Sequence, residues 1–123
     1  DAARGRVWEG DGETTLHALW RLGISGDDPI ITVIMKRIEN TEALERMVRM
    51  WCFYSFRGLR TDLAIVTFDN NDYLHPLRDL ADHLAVKALS GYFAVRGNIY
   101  VVAPKDGESV KPLLSVSRII FWL

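Results

Sequence analysis

The chain predicts an α/β fold: a small three-layer sandwich with a three-stranded parallel sheet, running β-α-β-α-β-α and preceded by a short helix. Three observations predict it. Short runs rich in β-branched residues, within Ile30–Ile38, Leu63–Phe68 and Ile99–Ala103, are apolar on both faces, as in strands covered from two sides. Stretches with helical apolar spacing separate these runs. Connections of that length between strands imply parallel pairing through right-handed crossovers.

Taken in order, residues 1–13 are polar and glycine-bearing, with Trp8 as the one large anchor, and read as an N-terminal arm. The α/β domain then spans residues 14–123. Thr14 or Thr15 caps a short helix through Leu22, whose loose apolar face is Leu16, Leu19, Trp20 and Leu22. Gly23 suits the position after its last turn. The first strand starts beyond Pro29. Asn40 or Thr41 caps the next helix, with Glu42 and Glu45 in its first turns, where the helix dipole favours negative charge. Leu44, Met47, Val48, Trp51 and Tyr54 keep helical spacing until Gly58 ends the run. The second strand closes on Asp69-Asn70-Asn71-Asp72. A helix starting between Tyr73 and Pro76 follows, with Leu77, Leu80, Ala81, Leu84 and Ala88 as its inner stripe.

Gly91 and Gly97-Asn98 punctuate the approach to the third strand, and Phe93-Ala94-Val95 is a candidate hairpin arm against it. Asp106 to Ser109 opens a last helix, with Leu113, Leu114, Val116, Ile119 and Ile120 as candidates for burial. The first strand is expected in the middle of the sheet, so that the helices after the first two strands cover opposite faces.

A chain of 123 residues is one domain's worth, and 49% apolar with 25% charged residues is ordinary for a globular domain. The formal net charge of −1 sets up no field that would collect nucleic acid. Arg57 and Arg60 flank Gly58-Leu59 with no aromatic ladder, so no nucleic-acid partner is expected. Cys52, the sole cysteine, excludes a disulfide within the chain and reads as a buried small hydrophobe, which suits a cytoplasmic protein. No run approaches the ~18 apolar residues of a membrane span, and no signal-peptide pattern opens the chain, so no direct membrane insertion is expected. The chain starts at Asp1 and stops on Ile119-Ile120-Phe121-Trp122-Leu123 with no polar cap. The expectation is a fragment whose last helix continues or docks elsewhere, prone to self-association through its apolar C-terminus.

Candidate chemistry concentrates between Arg21 and Asp28. Gly23-Ile24-Ser25-Gly26-Asp27-Asp28 superficially suggests a phosphate loop, but such loops follow a strand and open a helix; this one follows a helix and opens a strand. Asp27 and Asp28 are adjacent carboxylates, read either as an acid pair or as turn residues bonding nearby N–H groups before Pro29. An acidic receiver-type pocket would need acids at the carboxyl ends of strands, where only Asp69 clearly sits. His17, His75 and His83 are scattered, and no His-x-x-x-His pair or Gly-x-Ser-x-Gly elbow occurs, so neither a metal site nor a nucleophile is expected. Trp51 falls on an inner stripe; Trp20 beside Arg21 is the better candidate for stacking on a ligand.

The stretch Leu19-Trp20-x-x-Gly23-Ile24-Ser25-Gly26-Asp27-x-Pro29-Ile30 resembles a segment of the glycoside phosphorylase family of β-1,2-oligoglucan phosphorylase and the cyclic β-1,2-glucan synthases, related to cellobiose phosphorylase. Leu59-Arg60-Thr61-Asp62-Leu63-Ala64-Ile65-Val66 is similar to the family's Gly-Leu-x-x-Asp-Leu-x-Ile-Leu strand. Gly97-Asn98-Ile99-Tyr100-Val101-Val102, followed by Leu113-Leu114-Ser115-Val116-Ser117-Arg118-Ile119-Ile120, is similar to its later strand and helix. The resemblance covers residues 16 to 123. It implies a parent enzyme that cleaves or forms β-linked glucosides with inversion, using inorganic phosphate as co-substrate and no organic cofactor.

The family's general acid is an aspartate in an (α/α)₆ barrel, and the motifs around it are missing from this chain, so no catalytic residue is carried over. The implied role is an internal α/β domain, itself inactive, partnered by the β-sandwich and (α/α)₆ barrel domains of the same polypeptide and meeting β-glucan oligosaccharide through the parent. Arg21, Ser25 and Asp27 are the candidate substrate-binding residues: two glycines allow close backbone approach there, and a guanidinium can hold a phosphate or hydroxyl. The alternative is an independent α/β ligand-binding or signalling domain.

Overall fold

Four strands build one parallel sheet: β1 (Ile30–Met35), β2 (Asp62–Thr67), β3 (Ile99–Val102) and β4 (Ile119–Trp122), in the order β3-β2-β1-β4. They come from a computed structural model that describes residues 16–70, 73–91 and 95–123. The expected arm, the Thr14 or Thr15 cap and the Phe93-Ala94 part of the hairpin arm lie outside the described residues. The helices are α1 (residues 16–21), α2 (Thr41–Phe56), α3 (Pro76–Leu89) and α4 (Lys111–Val116), with 3₁₀ turns at Ile38–Asn40 and Glu108–Val110. Among the described residues no helix is long and apolar enough to cross a membrane.

The α/β class and parallel pairing match the expectation; the strand count and order correct it. From β1 through β2 to β3 the chain steps one way along the sheet, so crossovers of one hand put α2 and α3 on the same face. Leu44, Val48 and Trp51 of α2 and Leu77, Ala81 and Ala85 of α3 cover Val33, Met35, Leu63, Ile65 and Ile99 there. The step from β3 to β4 runs back across the sheet, which carries the intervening α4 to the other face. On that face Leu19, Ile24, Val110 and Leu113 cover Ile30, Ile34, Ala64, Val66 and Val102. It is therefore β2 that lies between β1 and β3, and β1 is interior only because β4 pairs with its other edge.

The C-terminal segment, expected to carry the last helix on to Leu123, is instead a strand over Ile119–Trp122. The α4 helix stops at Val116, and Ser117 turns extended (φ −67, ψ 134). The Arg118 N–H then donates to the Ile30 carbonyl at 2.8 Å, and that of Leu123 to the Ile34 carbonyl at 2.9 Å. Ile119–Trp122 is a β-branched and aromatic run, a composition that packs well on a pleated surface. The other ends follow local rules. At the end of α2, Gly58 sits at φ +108, its N–H donates to the Ser55 carbonyl, and that of Leu59 donates to the Tyr54 carbonyl, the paired bonds of a glycine helix cap.

Candidate functional site

The loop that the sequence singles out begins as the same kind of cap. Gly23 takes φ +84; its N–H donates to the Trp20 carbonyl at 2.9 Å, and the Ile24 N–H to the Leu19 carbonyl at 2.9 Å. Leu19 and Ile24, the pair whose apolar contact accompanies this motif, are both fully buried. Trp20, 53% exposed, donates its indole N–H to the Ser25 carbonyl at 3.1 Å and folds the loop back against the helix. The His17 ring lies tilted against it with centroids 5.2 Å apart. Gly26 sits at φ +79, where an added Cβ would approach Leu16 Cδ1 to 3.0 Å.

Beyond Gly26 the loop meets the amino ends of the strands. The Ser25 hydroxyl oxygen accepts from the Asp27 N–H at 3.4 Å and from the Tyr100 hydroxyl at 3.4 Å, both long contacts. Asp28 pairs with Arg60 (3.3 Å), and the Pro29 carbonyl accepts the Asp62 N–H at 2.8 Å. Asp62 is buried; its Oδ1 accepts the Asn98 N–H at 2.8 Å, while Oδ2 has no partner among the described residues. Burial pushes its carboxyl above the usual range. The Asn98 N–H opposes this, the neighbouring Asp28 and Asp27 add to it, and Arg60 offsets part.

The structure thus brings Ser25 and Asp27 together, whereas Arg21 is exposed on the last turn of α1 and its side chain makes no hydrogen bond or ion pair among the described residues. Asp27 and Asp28 do not act as a pair: Asp28 turns to Arg60, and Asp27 presents its backbone N–H to Ser25. No group of three or more His, Cys, Asp or Glu could hold a metal ion among the described residues. Sequence reasoning left Asp62 and Tyr100 out of the site. Asp62 had a signal, a carboxylate heading an otherwise apolar run, whereas Tyr100 joins from β3 and carries no local mark.

The carboxyl ends of the strands, where open α/β sheets usually bind ligands, form a second concavity. A cleft of about 610 Å³ lies between the β1–α2 and β2–α3 connections, lined by Lys36, Arg37, Asn40, Phe68, Asp69 and Asn70 among others. The Lys36 ammonium lies over the Phe68 ring (5.8 Å) and the Trp122 ring (5.6 Å). Asp69 is not presented as a receiver acid. Its carboxylate accepts the Leu77 N–H at 2.9 Å and the Arg78 N–H at 3.2 Å, capping α3, with His75 Nδ1 4.0 Å away. That anion occupies the donors a phosphate would need at the start of α3.

Two further sequence readings can be placed. Trp51 is buried and donates its indole N–H to the Thr61 carbonyl at 3.2 Å, so it belongs to the core. Cys52, expected to be buried, is only partly so; burial still pushes its thiol pKa up. Compared with protein-family models, curated proteins and solved structures, the chain gives no match in any of the three.

Proposed function

We propose that this chain is a non-catalytic α/β module of a larger carbohydrate-active enzyme acting on β-1,2-glucans by phosphorolysis or glucosyl transfer, with scaffold or substrate-positioning duty. One observation carries the reading: the positions that carry the resemblance are the ones that build the loop. Leu19, Gly23 and Ile24 make the helix cap, Trp20 holds the Ser25 carbonyl, Gly26 fits beneath Leu16, and Pro29 hands the chain to β1 and β2. The module's partners are then the β-sandwich and (α/α)₆ barrel of the same polypeptide, with inorganic phosphate as the parent's co-substrate and no organic cofactor. The site is cytoplasmic, and glucan oligosaccharide meets the module through the parent.

Substrate contact within this reading falls to Arg21, Ser25 and Asp27. Arg21→Ala and Asp27→Ala in the full-length enzyme should lower kcat/KM for β-1,2-glucooligosaccharides by about tenfold at unchanged melting temperature, the signature of lost contact. Normal kinetics with a lower melting temperature would reduce the module to a scaffold. A full-length product that neither forms glucose 1-phosphate from glucan and phosphate nor transfers glucosyl units would remove the reading altogether.

The carboxyl-end cleft favours a second reading, an independent ligand-binding domain. The two part at the level of the gene. The first requires an open frame running on past both ends of residues 1–123, and the second a stop codon directly after Leu123.

A further inference from the structure

We infer that the groove between α2 and α3, on the outer side of the molecule, is a docking site for an acidic amphipathic helix. The groove encloses about 660 Å³ and is floored by Cys52, Leu80, Leu84 and Ala88. It extends along α2 from Glu45 to Phe56, about 16 Å at the helical rise, or three turns. Phe53 stands at its edge 56% exposed, a large aromatic of the kind that anchors interfaces. Phe56, which also lines the groove, is 52% exposed, so the apolar surface here is more than a single stray side chain.

Chemistry selects the occupant. Both walls are helices whose backbone groups are bonded within themselves, and the floor is apolar. An extended peptide would therefore bring N–H and C=O groups into the groove with nothing to pair them. A helix satisfies its own backbone, and a third helix packs naturally over the channel between two neighbours. An acyl chain also needs no partners, but its one carboxylate cannot pair Arg49, Arg57 and Lys87 along the rim. A helix covers itself with its own polar back. The rim fixes the charge: Arg49, Arg57 and Lys87 face the groove against one acid, Glu45, which is already 3.9 Å from Arg49. Arg57 lies over the Phe53 ring at 5.6 Å, placing its charge beside the anchor. The complementary partner presents an apolar ridge flanked by carboxylates. None of this depends on the glucan reading.

Because Cys52 is the sole cysteine and lies in the floor, its modification by an aromatic disulfide reagent reports occupancy. The probe is a helical peptide of about 14 residues with leucines spaced one turn apart and glutamates on both flanks; the control carries lysines in place of the glutamates. The glutamate peptide should slow Cys52 modification saturably, by at least about tenfold, and the lysine peptide should bind about tenfold more weakly. In Arg57→Glu/Lys87→Glu, two exposed positions, that preference should reverse, while the unmodified chain with the two peptides already tests the charge rule. Equal protection by both peptides, or by neither, overturns the proposal. Protection by laurate but by neither peptide overturns it in favour of a lipid amphiphile.

Discussion

Asp62 shows how one side chain couples the candidate loop to the sheet. Its backbone N–H ties β2 to the Pro29 carbonyl, and its carboxylate ties β3 through the Asn98 N–H. The neighbouring Gly97 takes φ +100, and a Cβ there would stand 2.1 Å from the Thr61 carbonyl oxygen, so only glycine lets β3 come this close. The arrangement leaves Oδ2 buried and unpartnered among the described residues, with burial and two nearby aspartates raising the carboxyl pKa. A raised folded-state value means that the folded chain holds the proton more tightly than the unfolded one. The contribution is full below the unfolded pKa and is lost as pH climbs through the folded value. Asp62→Asn keeps an acceptor for Asn98 and removes the charge. It should melt higher than the unsubstituted chain at pH 7, and the difference should fade as pH drops below the usual carboxylate range. A variant that melts lower at pH 7 would mean the ionised carboxylate is favourably held, contrary to this account.

Among the elements, the junction of α4 and β4 is decided by contacts that no local pattern announces. Ser117 donates its hydroxyl to the Leu113 carbonyl at 2.7 Å and accepts from the Thr32 hydroxyl at 2.6 Å, 85 residues away in sequence. Both side chains are buried. Ser117→Ala should therefore cost about 1–3 kcal/mol, since it strands the Thr32 hydroxyl. Adding Thr32→Val should recover part of that loss, so that a double-mutant cycle by denaturant melts gives a coupling of about 1 kcal/mol; simple additivity would show the two hydroxyls do not depend on each other.

The same junction explains what the sequence could and could not tell. Ile30–Met35, Asp62–Thr67 and the two long helices were legible because their periods are local, and Gly23 and Gly58 marked their stops. Leu113, Val116 and Ile120 continue a helical spacing straight through the switch, so the period alone hides it. The carbonyls that draw Arg118 and Leu123 into a strand belong to Ile30 and Ile34. In the candidate site, likewise, Gly23 to Asp28 was legible as one loop, whereas Tyr100 enters only because β3 pairs beside β2.

At the scale of the whole molecule, the order β3-β2-β1-β4 places β4 at an edge of the sheet among the described residues, paired on one side by β1. Its side chains divide between the two faces. Phe121 and Leu123 pack against the core under α2 and α3, and Ile120 against the core under α1 and α4. Ile119 and Trp122 remain 49% and 63% exposed. An edge strand protects itself with charges, prolines or bulges, and Ile119–Trp122 contains neither a charge nor a proline. Self-association thus has a strand-edge route in place of the severed helix expected from sequence. Light scattering should show dimers or larger species at high micromolar concentration, and Ile119→Lys/Trp122→Lys should return the chain to a monomer. Both positions are largely exposed, so loss of the Lys36–Trp122 contact should lower the melting temperature only slightly, whereas lost folding would lower it sharply, which separates blocked pairing from lost folding. The Arg57→Glu/Lys87→Glu variant serves as the contrast: it alters the helical groove and leaves β4 intact, so it should associate like the unsubstituted chain. Association abolished by that variant and untouched by the two lysines would assign the contact to the α2–α3 face and clear the edge of β4.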